Sequence, residues 1–166
     1  MLDVGRLVVM RHAEAAWEGS GGDRMRPLTP RGRQQARAVG VSLAAAGWKP
    51  RCVLCSQAVR TLQTWEMLAP ALPTPEQVVT SWDLYHGGAA AYLGALALGG
   101  GEAATVMLVG HNPVVSELVE LLTNQRVRFG TADVALLRAE IEGRWRGWEV
   151  AVGVPVRFTL ERVIAG

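Results

Sequence analysis

The pair Arg11-His12 is the part of this sequence best suited to chemistry. It directly follows residues 7–10, a short apolar run with two β-branched residues that predicts a strand covered on both faces. Open α/β sheets bind their ligands at the carboxyl ends of such strands. An arginine placed there can hold an oxyanion while a neutral imidazole nitrogen attacks the atom that carries it.

Arg60 and His111 occupy comparable places behind two further predicted strands. Residues 52–55 predict a strand, and residues 56–68 predict a helix with Arg60 near its start. Residues 105–109 predict another strand, and His111 comes two residues after it. If the three strands are parallel neighbours, two arginines and two histidines converge at one edge of the sheet. Four donors near helix N-termini describe a pocket for a tetrahedral phosphoryl group.

The helix after His111 has a well-marked start. Asn112 suits the N-cap position and Pro113 suits the first helical position, so we expect the helix to begin at Pro113.

These four residues suggest a two-step reaction. His12 attacks phosphorus and becomes phosphorylated, and water then hydrolyses the phosphohistidine. Arg11 and Arg60 bind the phosphoryl oxygens, and His111 adds a further donor as an imidazolium. Because protein cations do this work, we expect neither a metal ion nor another cofactor.

Three segments together resemble the signatures of the histidine phosphatase superfamily. They are Arg11-His12-Ala13, the run from Ser56 to Thr64 that contains Arg60, and Gly110-His111-Asn112-Pro113. The SixA-type phosphohistidine phosphatases are the most similar branch, since they share an element like Arg26-Pro27-Leu28-Thr29 followed by Gly32. The usual superfamily pattern has glycine after the first histidine. Ala13 also occurs there in SixA-like sequences and marks the branch.

The resemblance implies a fold and a substrate class. The fold is phosphoglycerate mutase-like, and residues 1–166 form a single histidine phosphatase domain. The substrate is a phosphohistidine on a phosphorylated protein. Alternatives are a small phosphate ester, which would make the chain a phosphomonoesterase, or a mutase-like phosphotransfer reaction. A non-catalytic phospho-binding module is a third, different class.

The leaving group separates these substrates. An alkoxide needs a general acid, whereas a phosphorylated imidazole leaves as a neutral ring with a pKa near 6.5. Glu14 and Asp83 are the nearby candidates for an acid, and neither stands in a clear acid motif. His86 is as plausible as a plain loop histidine as it is as a site residue.

The order of elements predicts an α/β fold with three layers, αβα, and a mainly parallel central sheet. One helix is predicted to start at Thr29-Pro30 and to run to about Ala46, ended by Gly47, and another follows the loop and runs to about Leu98. A strand is predicted at residues 77–80 and an irregular loop at 81–88. Residues 134–141 and 145–150 predict a hairpin and hence an antiparallel edge strand. Residues 156–164 fit a strand or a helix.

Composition limits the function classes. The chain has 166 residues, of which 49% are hydrophobic, so one sizeable core is expected. A formal net charge of +2 is too small to indicate nucleic acid or an anionic membrane as partner. Without a signal-peptide pattern or a membrane-length apolar run, we expect a cytoplasmic protein. The sequence does not indicate the oligomeric state.

Two local patterns admit more than one interpretation. Arg24, Arg26, Arg31, Arg33 and Arg37 form a basic run that suits either the rim of an anion site or a solvated helix face. Cys52 and Cys55 form a C-x-x-C motif. On a strand, however, residues three apart point to opposite faces about 10 Å apart, too far for a disulfide. We therefore expect core cysteines.

Overall fold

One six-stranded sheet organises the chain, in the strand order β3-β2-β4-β1-β5-β6. The structure is a computed structural model that describes residues 2–17, 20–142, 145 and 158–166. The strands are β1 (Leu2–Arg11), β2 (Cys52–Ser56), β3 (Gln77–Ser81), β4 (Thr105–Gly110), β5 (Val134–Glu142) and β6 (Thr159–Ile164). The helices are α1 (Pro30–Ala46), α2 (Val59–Leu68), α3 (Asp83–His86), α4 (Ala89–Gly99) and α5 (Val114–Thr123), with 3-10 turns at Asp23–Met25 and Ala69–Ala71.

Parallel pairing brings the ends of β1, β4 and β2 to the same edge of the sheet. In the register, Arg11 lies beside Gly110, and Cys55 lies beside Val109. The next residues along the chain are therefore neighbours at this edge. β5 pairs antiparallel with β1, and β6 pairs antiparallel with β5. The predicted mainly parallel sheet with antiparallel pairing at its C-terminal edge is confirmed.

Strand residues alternate between two cores, which gives the predicted three layers. Leu7 and Val9 pack in a cluster with residues of α4 and α5, whereas Val8 and Met10 pack in a second cluster with residues of α1 and α2. Full burial of both faces explains why residues 7–10 of β1 and nearly all of β2 and β4 are apolar.

The cysteines follow the same alternation. Cys52 belongs to the first cluster and Cys55 to the second, and both thiols are free. The prediction of core cysteines is confirmed.

Helix α1 forms as its sequence predicts. The Thr29 side chain accepts a hydrogen bond from the Gly32 amide, Pro30 is the first helical residue, and Gly47 ends the helix in the left-handed region with φ 76°. No helix in the described part of the chain is both long and apolar enough to cross a membrane.

Several predicted boundaries are wrong, each for a local reason. Helix α2 begins at Val59 because Ser56 is still the last residue of β2. Helix α5 begins at Val114 with Pro113 at the cap, since the Asn112 side chain bonds Phe129 and Ser116 instead of a helix amide. The predicted loop at 81–88 contains helix α3.

The structure tests only part of what was predicted for the C-terminal residues. Residues 159–164 form strand β6 rather than a helix. The second arm of the predicted hairpin, residues 145–150, lies outside the described residues except for Trp145, which is fully buried and stacks on Phe158.

Candidate active site

His12 stands at the centre of the site, one residue beyond β1. Its backbone amide donates to the Gly110 carbonyl of β4 at 3.0 Å, which fixes the residue between the two strand ends. The ring Nδ1 lies 2.8 Å from the Ala13 carbonyl, an acceptor, so Nδ1 carries the proton. Nε2 then keeps its lone pair, and it accepts a hydrogen bond from Arg60 Nε at 3.3 Å.

The surroundings keep His12 neutral. Burial lowers its pKa to about 4, against a smaller raising effect of the Ala13 carbonyl, and the charges of Arg60 and Arg11 lower it further. At neutral pH the ring is therefore uncharged, with an unprotonated Nε2 whose lone pair accepts the hydrogen bond from Arg60. This is the form that a nucleophile requires.

Arg60 uses its guanidinium on two sides. Its Nε donates to His12, while Nη1 donates to the Asp23 carbonyl at 2.9 Å and Nη2 donates to the Asp23 carboxylate at 3.1 Å. Arg60 is in the first turn of α2, and its side chain is 8% exposed. The bonds to Asp23 leave the Nε side of the guanidinium facing the nucleophile.

Asp23 is a functional residue that the sequence analysis missed. Its carboxylate also accepts from the Tyr85 hydroxyl at 2.8 Å and from Arg26 at 3.0 Å. The Tyr85 hydrogen bond, followed by the two arginines, lowers the Asp23 pKa to about 2 against the raising effect of burial. The only sequence signal was its spacing three residues before Arg26.

His111 and Ser56 meet at the ends of β4 and β2. His111 Nε2 lies 2.7 Å from the Ser56 hydroxyl, and the rings of His12 and His111 are 5.4 Å apart. Burial, followed by the charge of Arg60, lowers the pKa of His111 to about 3. The expectation that His111 acts as an imidazolium is therefore wrong for this environment, since it is a neutral ring that can donate through one nitrogen.

Two buried nitrogens in this cluster have no hydrogen-bond partner. Arg11 donates through Nη1 to the Phe129 carbonyl at 2.9 Å, but its Nε is buried without a partner. His111 Nδ1 is also buried without a partner. Buried polar groups are nearly always paired, so unpaired donors beside a nucleophile indicate a site for an anion. The structure thus brings together His12, Arg11, Arg60 and His111, the four residues selected from the sequence.

The two candidate acids are not brought to this cluster. Glu14 forms an ion pair with Arg31 at 3.5 Å, at the start of α1. Asp83 and His86 are exposed and line a cavity between β3, α3 and α4. Tyr85, between them in the chain, points the other way and lies with its ring 5.5 Å from His111.

Exposed aromatic and basic side chains surround the 3-10 turn that carries Asp23. Trp17 is 88% exposed with the Arg26 guanidinium 5.3 Å above its ring, and Trp82 is 39% exposed with Arg24 at 5.7 Å. Met25 between the two arginines is 46% exposed. We call Trp17, Arg24, Met25, Arg26 and Trp82 the collar.

The arginines of the basic run divide between the rim of the site and a solvated helix face, the two interpretations given above. Arg24 and Arg26 belong to the collar beside Asp23, whereas Arg33 and Arg37 lie on the exposed face of α1. Within the described residues, no group of three His, Cys, Asp or Glu side chains is arranged to hold a metal ion.

Comparisons with known proteins agree with this geometry. The sequence profile of the histidine phosphatase superfamily (branch 1) matches residues 7–91. An uncharacterized protein of Mycobacterium tuberculosis is 29% identical in an alignment 164 positions long, which covers 92% of this chain and 100% of that protein.

Two solved structures extend the similarity to almost the whole chain. One, assigned as a phosphohistidine phosphatase SixA from Nakamurella multipartitia, is 28% identical with a TM-score of 0.80 and covers 97% of this chain and 95% of that one. The other, the protein histidine phosphatase SixA complexed with tungstate, is 25% identical with a TM-score of 0.78 and covers 96% of each chain.

Proposed function

Because this chain belongs to the histidine phosphatase superfamily, we propose that it hydrolyses phosphohistidine on proteins through a phosphorylated His12 intermediate. The similarity to structures described as SixA phosphohistidine phosphatases supports this substrate class. One observation carries the proposal. A neutral imidazole with an unprotonated Nε2 lies among arginine and histidine side chains, two of whose buried nitrogens have no hydrogen-bond partner.

In the first step, the Nε2 lone pair of His12 attacks phosphorus. A bond forms between Nε2 and phosphorus, and the bond from phosphorus to the substrate nitrogen breaks. The substrate imidazole takes that electron pair and leaves as a neutral ring when its second nitrogen carries a proton. Arg11, Arg60 and His111 donate to the phosphoryl oxygens, where a preorganised donor is worth roughly 3–4 kcal/mol.

In the second step, water attacks phosphorus on the side that the leaving group has vacated. The bond to Nε2 breaks, its electron pair returns to His12, and inorganic phosphate leaves as dihydrogen phosphate with the oxygen and both protons of water. His12 keeps the proton on Nδ1 throughout, because the Ala13 carbonyl accepts it.

The carboxylates around the site favour a substrate whose leaving group departs without protonation by a general acid. Asp23 is the carboxylate that contacts Arg60, and its pKa of about 2 keeps it ionised at neutral pH, so it has no proton to give. Glu14 pairs with Arg31, and Asp83 lines a separate cavity. A phosphohistidine meets this requirement better than an alkyl phosphate does.

The collar favours a protein substrate. Tryptophan, methionine and arginine are the residue types enriched where proteins bind one another, and here they surround the turn that carries Asp23. Arg24 of the collar has no carboxylate partner among the described residues, which suits an acidic partner surface.

The experiment is a panel of substrates given to the purified protein: a phosphohistidine protein, p-nitrophenyl phosphate and an alkyl phosphate. We expect the highest kcat/KM on the phosphohistidine protein and an acid-labile phosphate on His12 in rapid-quench samples. His12→Ala should abolish turnover, and Arg60→Ala should lower kcat by about 100- to 1,000-fold. His86→Gln, which removes a histidine on the cavity side, is the matched control.

Each alternative gives a different result in this panel. A small-molecule phosphomonoesterase would prefer the alkyl ester and lose activity in Asp83→Asn. A mutase would transfer phosphate to an added alcohol. A phospho-binding module would bind the phosphoprotein without releasing phosphate. Appreciable turnover by His12→Ala would contradict the covalent mechanism.

A further inference from the structure

Ser56 is a buried hydroxyl that the reaction described above does not use. It is the last residue of β2 and is fully buried, and His111 beside it is 9% exposed. Its Oγ lies 2.7 Å from His111 Nε2 and accepts a hydrogen bond from the Ala58 amide at 3.4 Å. The contact with His111 joins a strand end to the second histidine of the site.

The direction of this hydrogen bond follows from counting partners. If Ser56 donates to Nε2, the hydroxyl proton is used and the proton of the ring stands on Nδ1. If Nε2 donates to Ser56 instead, the hydroxyl proton has no acceptor within the described residues and the Nδ1 lone pair has no donor. The first arrangement leaves one unpaired group and the second leaves two, so the first is favoured.

We propose that Ser56 is a positioning residue that holds His111 in the Nδ1–H tautomer and so makes Nδ1 a donor to a phosphoryl oxygen. This proposal rests on the proposed function for the identity of the anion. In the other tautomer, the Nδ1 lone pair would face the lone pairs of that oxygen and repel it. The low pKa of His111, about 3, means that the neutral ring and its tautomer are what matter at neutral pH.

The two histidines are then preset in complementary ways. The Ala13 carbonyl puts the proton of His12 on Nδ1, which leaves Nε2 unprotonated. The Ser56 hydroxyl puts the proton of His111 on Nδ1 as well, but there it is Nδ1 that lies buried without a partner. One ring offers a lone pair and the other offers a proton, and neither needs to exchange its proton before phosphate binds.

Nitrogen NMR of the free protein tests the tautomer directly. The chain has 3 histidines, so long-range proton–nitrogen spectra of a histidine-labelled sample can be assigned with His86→Gln and His12→Ala. We expect His111 to show a protonated Nδ1 and an unprotonated Nε2. A protonated Nε2 in the wild-type protein would overturn the proposal without bearing on whether the protein is a phosphatase.

Removing the Ser56 hydroxyl tests whether it is this group that sets the tautomer of His111. In Ser56→Ala we expect a population with protonated Nε2 and a weakening of tungstate binding by about tenfold or more, as for a lost hydrogen bond to a charged group. Thr61→Val is the matched control, because it removes a buried hydroxyl that bonds the Ser56 carbonyl but not His111. It should keep the Nδ1–H tautomer. Ser56→Cys, with a weak donor, serves if the alanine variant does not fold.

The outcomes separate this proposal from the proposed function. If Ser56→Ala keeps His111 wholly in the Nδ1–H form, Ser56 does not set the tautomer. If the wild-type protein has the expected tautomer but binds no tungstate, the function fails while the role of Ser56 in the free protein stands.

Discussion

His12 and His111 are uncharged because folding removes both rings from water. Burial is the largest cause of the lowered pKa of each, to about 4 for His12 and about 3 for His111. We therefore expect the ring proton shifts of both residues to stay constant as the pH falls from 7.5 to 5.5, measured by NMR (~2 pH units around an ordinary histidine pKa). A midpoint near the ordinary value for either ring would contradict the burial argument.

The same shift makes stability depend on pH in a definite direction. The unfolded chain protonates His12 below its ordinary pKa of 6.5, whereas the folded chain does so only near 4, so acid favours unfolding between these values. The urea midpoint should fall as the pH is lowered through this window. In His12→Gln, whose side chain does not titrate, the slope should be shallower, and an unchanged slope would remove His12 as a cause.

At the level of elements, the 3-10 turn Asp23–Met25 holds α2 and α3 together at the site. Asp23 binds Arg60 of α2 and Tyr85 of α3. Without its carboxylate, the guanidinium of Arg60 keeps the hydrogen bond to the backbone carbonyl of residue 23 but loses the one from Nη2, so its orientation is less well fixed. Asp23→Ala should therefore lower kcat on p-nitrophenyl phosphate by about 10- to 100-fold, since small misplacements of a catalytic group are costly.

Two variants control for a general disturbance of this turn. Asp23→Asn keeps a side-chain oxygen for Arg60 without the negative charge. Its kcat on p-nitrophenyl phosphate should lie between those of the wild-type protein and Asp23→Ala. Arg24→Ala, in the same turn but over Trp82, should keep the wild-type kcat on this small substrate. If Arg24→Ala were as defective as Asp23→Ala, the turn as a whole and not the Asp23 carboxylate would be responsible.

Close packing of α1 on α2 depends on one glycine. A Cβ at Gly40 would overlap the carbonyl oxygen of Leu68, whereas a Cβ at Gly94 in α4 would meet nothing within 4 Å. Gly40→Ala should lower the free energy of unfolding by about 1–3 kcal/mol, as overpacking does. Gly94→Ala should raise it by up to about 1 kcal/mol through helix propensity. Urea unfolding checks both, and equal effects would contradict the packing argument.

For the whole molecule, the collar should matter only for a large substrate. Trp17→Ala and Trp82→Ala remove exposed rings and leave the four central residues in place. We expect each to lower kcat/KM on a phosphohistidine protein by about tenfold, in the range of an interface aromatic, with little change on p-nitrophenyl phosphate. Leu98→Ala, an exposed apolar residue on α4, is the control. Equal losses of kcat/KM on both substrates would indicate that the tryptophans affect the chemical step and not the binding of a protein substrate.

The charge of the site predicts how it responds to anions and chelators. In the proposed reaction, Arg11 and Arg60 supply the positive charge that a metal ion supplies in metal-dependent phosphatases. Tungstate and vanadate should inhibit competitively, and activity should survive EDTA. Loss of activity in EDTA that Mg²⁺ or Zn²⁺ restores would show that the arginines are not sufficient.

The sequence predicted strands β1 to β5 and the four central residues, but it left the region of β6 open between a strand and a helix. Unbroken apolar runs identify β1, β2 and β4, because a strand buried on both faces has no polar positions. Arg11, His12, Arg60 and His111 follow these runs closely, so any parallel arrangement brings them to one edge. Thr29 and Gly47 mark the ends of α1 through local chemistry alone.

Only the tertiary structure decided the partners of these residues. Asp23 reaches Arg60 across 37 positions and Ser56 reaches His111 across 55, and no local pattern encodes such contacts. The charge of His111 depends on burial by the whole fold, which is why the imidazolium expected from the residue type is replaced by a neutral ring. The partner of Glu14 is likewise set by the fold, which places its carboxylate beside Arg31. Side-chain identity follows from the sequence, but protonation and orientation follow from neighbours that folding brings together.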